Sequence, residues 1–228
     1  MYNIYRYCFS LLLVCCVTTL TGQNVKTEKN DSIRKFELNS LRVEVDISPV
    51  ITTFLNRGDV YQFEGAIQAE INKRFYPAFE IGYAGADKLT TSGINYQGNA
   101  LFYRLGMDFN LIKNQTIENK FTNYFLIGAR LGHTNFDYNL QNITFENEYW
   151  DTNYQKNFRG ESFNLWFEIT AGIRVEIYKR VYIGWTARIK NLINKPDPGE
   201  YKPFYIPGFG INGDGSVWAF NYMLGYKF

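Results

Sequence analysis

The feature that most constrains this chain is a period of two. From Leu41 to Phe228 its apolar residues recur at alternate positions in one segment after another. Successive side chains of a strand point to opposite faces, so alternation of this kind specifies sheet and not helix. The last segment, 216–228, shows it most plainly. Trp218, Phe220, Tyr222, Leu224, Tyr226 and Phe228 share one face, while Val217, Ala219, Asn221, Met223, Gly225 and Lys227 share the other. One face is aromatic or apolar without a break. A chain end left to fray at a surface would not carry its most hydrophobic strand.

Seven earlier segments follow the same rule. Their apolar faces begin with Leu41, Val43, Val45 and Ile47, then Tyr61, Phe63, Ile67 and Ile71, then Phe79, Ile81 and Tyr83. Leu101, Tyr103, Leu105, Met107 and Phe109 make the fourth, and Phe125, Ile127, Ala129 and Leu131 the fifth. The sixth runs from Phe163 to Ile177 and the seventh from Val181 to Ile189. The connections alternate in length: long over 49–60, over about a dozen residues after Gly85, over 133–160 and over 191–215; short at Lys73-Arg74, at 113–120 and at Tyr178-Lys179-Arg180. Eight strands joined this way put both ends and every short turn on one side. The expected fold is all-β: a closed antiparallel up-and-down transmembrane β-barrel whose tracks are long enough for the roughly 9–11 residues a tilted membrane strand needs.

Alternation alone does not say whether the apolar face meets lipid or a core, and a soluble lipocalin-like barrel has the same strand count. The opposite face decides between them. It carries Arg42, Glu44, Asp46, Glu64, Glu70, Glu80, Arg104, Asp108, Arg130, Glu168, Arg174, Glu176, Arg188 and Lys190. Five of its six bases are arginine, the residue suited to forked pairing with buried carboxylates, whereas solvated surfaces favour lysine. An interior filled by a charged network is therefore expected. At this strand number side chains fill the inside, so a wide pore is not.

The closing strand, with Phe228 last and Tyr226, Leu224, Tyr222, Phe220 and Trp218 at alternate positions before it, resembles the terminal strand of bacterial outer-membrane β-barrels. Over 41–228 the chain looks like the small outer-membrane barrel proteins of Gram-negative bacteria. That resemblance implies delivery to the barrel-assembly machinery, outer-membrane location, and contact with lipid and lipopolysaccharide. The start of the chain agrees: Arg6, an apolar run over 8–20, then Thr21, Gly22 and Gln23 have the layout of a secretory signal peptide. The expected organisation is a signal over 1–22, a periplasmic tail over 23–39 and the barrel over 40–228. Cys8, Cys15 and Cys16 all fall within the signal, so disulfides and thiolate chemistry are not expected of the mature chain. Asp31-Ser32-Ile33 resembles a short O-glycosylation motif of some Gram-negative groups, and a plain solvated tail is the favoured reading of so short a match. A net charge of +2 gives no case for nucleic acid.

Chemistry has few footholds. His133 is the only histidine, and it resembles the histidine of outer-membrane lipid A deacylases and palmitoyltransferases only in being near a loop. Thr134 and Asn135 follow it, where the deacylase type has a serine two residues on. No cofactor is expected. The loops are the better place to look, since function concentrates on loops held by rigid scaffolds. Phe136, Tyr138, Tyr149 and Trp150 fall in the third long connection, and Tyr201, Phe204, Tyr205 and Phe209 in the fourth, within Y-K-P-F-Y-I-P-G-F-G. They are read either as an interaction surface or as an upper aromatic girdle packed on lipopolysaccharide. The expected function is non-enzymatic: a barrel presenting its loops, as an accessory subunit alongside other outer-membrane proteins. A lipid-modifying hydrolase and a small-solute channel are the alternatives.

Overall fold

A computed structural model describes residues 37–49, 59–112, 122–147, 152–194, 201–211 and 215–228, all within one unit, Phe36–Phe228. The expected signal, almost all of the tail with Ser32, and the candidate residues Tyr149 and Trp150 lie outside the described residues.

Eight principal strands form: β1 (Leu38–Asp46), β2 (Val60–Ile71), β3 (Phe75–Leu89), β4 (Asn95–Asn110), β5 (Asn123–Asn147), β6 (Thr152–Tyr178), β7 (Val181–Leu192) and β10 (Val217–Lys227). A two-residue pair, β8 (Tyr205–Ile206) with β9 (Gly210–Ile211), sits in the connection before β10. Each principal strand pairs antiparallel with its neighbours in sequence, and β10 returns to β1. The sheet is up-and-down, and its hydrogen bonds close into a ring, a barrel by connectivity. At the seam Val43 stands opposite Tyr226 and Val45 opposite Leu224, and the Phe228 N–H donates to the Leu41 carbonyl at 2.7 Å. Closure gives the first and last strands a partner on both sides where the ring is complete.

The described short turns, 72–74 and 179–180, lie at the end of the ring that also holds Glu37 and Lys227. Between β2 and β3, Asn72 and Lys73 take φ of 50° and 56°, and the Arg74 N–H closes on the Ile71 carbonyl at 3.1 Å. Two successive left-handed residues match the twist of a hairpin, and asparagine tolerates that region well. The strands reach further at the opposite, loop end than alternation alone foretells. The connection of about a dozen residues expected after Gly85 shrinks to 90–94, because Asp87 still pairs with Gln97 and Leu89 with Asn95. Much of the expected loop 133–160 is likewise a ribbon, with Asn135 opposite Phe163 and Asn139 opposite Arg159, continued past a bulge at Asn142. Apolar alternation stops there while the backbone ladder does not, since a ladder above the apolar zone needs no buried outer face.

The ring sorts side chains as the pleat requires. Phe79, Leu105, Leu131, Ile169, Ile183 and Leu224 point out and are exposed, and the charged and small residues between them point in. The interior is stacked in three levels. Tyr76, Tyr124, Leu126 and Tyr182 form a floor at the turn end. Charged side chains fill the middle. Tyr96, Phe102, Phe136, Tyr138, Leu140, Ile143 and Trp166 close the loop end, together with Tyr205, Ile206 and Phe209 from the last long connection.

Candidate functional site

The middle level is built from inward positions of β1 to β7. Glu80 on β3 is its hub: Oε2 lies 2.6 Å from Arg104 Nη1 and 2.9 Å from Arg188 Nη1, and Oε1 lies 2.9 Å from Arg130 Nε. Arg104 also reaches Glu64 at 2.6 Å and Glu168 at 3.2 Å, and Arg188 reaches the same two at 3.3 and 3.1 Å. Arg130 ends on Asp108 at 2.6 Å. Nearer the floor, Arg174 grips Glu44 with two donors, at 2.8 and 2.7 Å. Glu44 also meets Arg42 at 2.8 Å. The Arg42 guanidinium lies 5.1 to 6.0 Å from the rings of Tyr76, Tyr124 and Tyr182, so the aromatic floor faces a cation.

Among the described residues seven acids (Glu44, Asp46, Glu64, Glu70, Glu80, Asp108, Glu168) and six bases (Arg42, Arg104, Arg130, Arg174, Arg188, Lys190) are buried, so the interior is close to neutral. Packing among them leaves a void of about 10 Å³, bounded by Glu80, Asp108, Arg130, Arg174 and Arg188. That is room for about one water molecule.

Three of the charged residues expected in this web lie off it. Glu176 is half-buried at the turn end, where its carboxylate accepts the backbone N–H groups of Arg180 and Thr122, each at 2.9 Å. The alternation gave it an inward direction but could not show that the strand ends two residues later. Glu70 is inside yet pairs with Lys227 of the closing strand at 2.7 Å. Asp46 accepts from Ser48 and from Asn221, whose own oxygen takes the Arg188 Nε–H at 3.0 Å. Trp218, Phe220, Tyr222, Leu224, Tyr226 and Phe228 all stand on the outer face.

The loop aromatics require a larger correction. Phe136, Tyr138, Tyr205 and Phe209 are buried, and Tyr201 and Phe204 are half-buried, so these six do not form an exposed surface. They are a plug. Residues 201–211 fold back into the ring, and the plug is tied by Tyr96 Oη donating to the Tyr205 carbonyl at 2.7 Å and Tyr138 Oη to the Tyr201 carbonyl at 2.6 Å. Lys190 Nζ, at the top of the charged level, donates to the Gly208 carbonyl at 2.7 Å. Burial pushes the Tyr205 phenol above its ordinary pKa, keeping it a neutral donor, and it reaches Gln62 Oε1 at 3.5 Å. Trp166 joins the two levels, its ring near Phe209 and its Nε1–H on Glu168 at 2.6 Å.

The sequence profile of a family described as "Domain of unknown function (DUF6048)" matches residues 4–228. The chain belongs to the DUF6048 family. No curated protein matches it. In this DUF6048 chain the plug has a signal in the sequence: the inward register of β4 and β6 turns from charged to aromatic at Phe102 and Trp166, which leaves an apolar lid needing a partner. Residue 208 shows how closely that partner fits. Gly208 has φ +79°, and a Cβ there would lie 2.4 Å from Phe102 Cγ. Gly208→Val should therefore unseat the plug, at a cost of about 1–3 kcal/mol from strain and overpacking. Limited proteolysis within 201–211, slow in the native protein and fast in the variant, is the check.

His133 stands half-buried on the outer face at the loop end. Its ring centroid is 4.7 Å from that of Phe163, and its Nδ1 is 3.2 Å from the Asn164 carbonyl. Among the described residues no Ser, Asp or Glu side chain hydrogen-bonds it.

Proposed function

We propose that this protein is an integral outer-membrane β-barrel with a blocked interior, acting without catalysis as an anchor whose loop end meets partner molecules outside the cell. The observation that carries the reading is the pairing of an apolar exterior with a charged interior on seven of the eight strands, β1 to β7. Leu105 is 66 %, Leu131 51 % and Ile169 50 % exposed, while the residues beside them in sequence, Arg104, Arg130 and Glu168, are buried ion pairs. Soluble monomers rarely expose contiguous apolar patches beyond a few hundred Å². A band running round the ring matches the lipid-facing band of outer-membrane barrels, and the short turns and both termini then lie on the periplasmic side. The loop end, with its β5–β6 ribbon braced by the plug, becomes the outward platform.

Fractionation tests the placement: the protein should stay with outer membranes through alkaline carbonate washing, and cysteines introduced at Asn157 should react with an impermeant maleimide on intact cells. Release by carbonate would overturn it. Gentle detergent purification tests the anchoring role. Co-eluting envelope proteins are expected, and repeated isolation as a lone monomer would remove the subunit reading.

The plug and the small residual void support a blocked interior over a conducting one. In planar bilayers the purified protein should show no unitary conductance steps; steady single-channel openings by the native chain would favour the channel alternative.

A further inference from the structure

One place in the wall of the ring departs from regular pairing. Gly98 pairs with Tyr138 and Phe102 with Thr134 in a single register, yet the three positions between them, 99–101 on β4 and 135–137 on β5, do not pair with one another, although each keeps its partner on β3 or β6. The Leu101 carbonyl takes the Thr134 hydroxyl instead, at 2.9 Å. A cavity of about 710 Å³ opens at this gap. Its size falls in the range of small-molecule sites, roughly 300–1,000 Å³. Behind it stand the small residues Ala86, Gly98 and Ala100, and it lies on the loop side of the exposed apolar residues Leu101, Tyr103 and Leu131.

Its lining defines a ligand class. Gln97, Asn99, Asn135 and Asn139 bring four carboxamides, Asp87 and Asp137 two carboxylates, and Tyr61 a phenol ring. No lysine or arginine lines it, and the Arg159 guanidinium that reaches Asp137 is already paired there, so a phosphate or carboxylate ligand would face like charge. The carboxylates are already engaged, Asp87 with Gln97 at 3.2 Å and Asp137 with Arg159 at 2.8 Å. Asn99 Oδ1 accepts from Tyr83. Asn135 and Asn139 have no side-chain hydrogen bond among the described residues, although each offers two donors and an acceptor. A carboxamide is matched by a group that likewise both donates and accepts, which is the hydroxyl. The Tyr61 ring adds a flat apolar face with a polar tip, suited to a ring carrying hydroxyls at its edge.

We propose that this wall cleft binds the hydroxyl-rich rings of a neutral oligosaccharide, with Asn135 and Asn139 as the principal hydrogen-bonding residues. Such rings occur both in free glycans and in the saccharide of a glycolipid. The full-length protein in detergent is titrated by calorimetry with maltohexaose, cellohexaose and mannohexaose. In parallel it is titrated with micelles of smooth lipopolysaccharide and with micelles of lipid A, whose acylated, phosphorylated disaccharide lacks the core and O-antigen chains. At least one hexasaccharide or the smooth lipopolysaccharide should bind, lipid A alone should not compete, and Asn135→Ala/Asn139→Ala should weaken binding about tenfold or more. Both substitutions are at the rim, and an unchanged circular-dichroism spectrum and melting profile excludes misfolding as the cause. Binding of a free hexasaccharide assigns the site to soluble glycan, and binding of smooth lipopolysaccharide alone assigns it to the glycolipid headgroup. No binding by any of these probes, or equal binding by the double variant, overturns the proposal.

Discussion

Replacing Glu80 by alanine is expected to lower the folding stability of the protein by about 3–5 kcal/mol, the cost of removing one partner from a buried ion-pair network. Glu80 meets three guanidinium groups, Arg104, Arg130 and Arg188, at 2.6 to 2.9 Å, and all four side chains are shielded from solvent. Arg130 would keep Asp108, and Arg104 and Arg188 would keep Glu64 and Glu168. Three buried guanidinium groups nevertheless lose a charged hydrogen-bond acceptor at 2.6 to 2.9 Å, and the void nearby admits about one water to replace it. Glu80→Gln separates charge from volume, since it retains the shape and loses only the ionised oxygen. Pairing it with Arg188→Met restores the charge balance, so the double variant should be less damaged than the sum of the singles, by about 0.5–3 kcal/mol. Equilibrium unfolding in detergent, followed by tryptophan fluorescence, reads the wild type and the four variants: Glu80→Ala, Glu80→Gln, Arg188→Met and the double variant. A loss below about 1 kcal/mol for Glu80→Ala would mean that the interior is wet enough to solvate three arginines, contrary to its packing.

How much of this was legible beforehand follows from what each feature depends on. Strand number, order and facing depend on local alternation, and alternation is written in consecutive residues such as Arg104-Leu105-Gly106-Met107. The seam between β1 and β10 follows once eight strands must close, with Val45 meeting Leu224. What local pattern cannot carry is pairing across the interior. That Arg104 would take Glu64, Glu80 and Glu168, while Glu70 went to Lys227, depends on strand stagger, which shifts partners along the axis. The plug is lost for a related reason. Tyr205 and Phe209 lie in a connection rich in proline and glycine, and such a segment reads as surface unless something inside lacks a cover. Here Phe102 and Trp166 lacked one. The wall cleft is harder still: Asn99 and Asn135 look like ordinary strand residues above the apolar zone, and only the broken ladder between them marks a site.

The other large expected effect separates a membrane barrel from a soluble one on a single residue. Leu105 sits mid-strand on β4, opposite Phe79 on β3 and Leu131 on β5, and its side chain points outward. If the exterior faces lipid, Leu105→Arg places a guanidinium near the bilayer midplane, and the expected cost is about 2–4 kcal/mol in lipid vesicles. If the exterior faces water, the same change removes an exposed apolar group and adds a solvated charge, which surface substitutions show to be worth within about 0.5 kcal/mol. Leu105→Phe is the volume-matched control, neutral in either case. Asn157→Arg, on the β6 ribbon away from the apolar zone, should cost only the exposed hydrogen bond that its Oδ1 takes from the Asn142 N–H, at most about 1 kcal/mol. The contrast is therefore positional: a larger penalty at Leu105 than at Asn157 is the signature of a hydrocarbon slab. Equal and small effects at both positions, measured by urea unfolding from vesicles, would leave the apolar band without a lipid to explain it. In that event the exposed ring of Phe79, Leu105 and Leu131 would have to be covered by protein, and the anchoring role proposed for the barrel would give way to one in which that band is itself the binding surface.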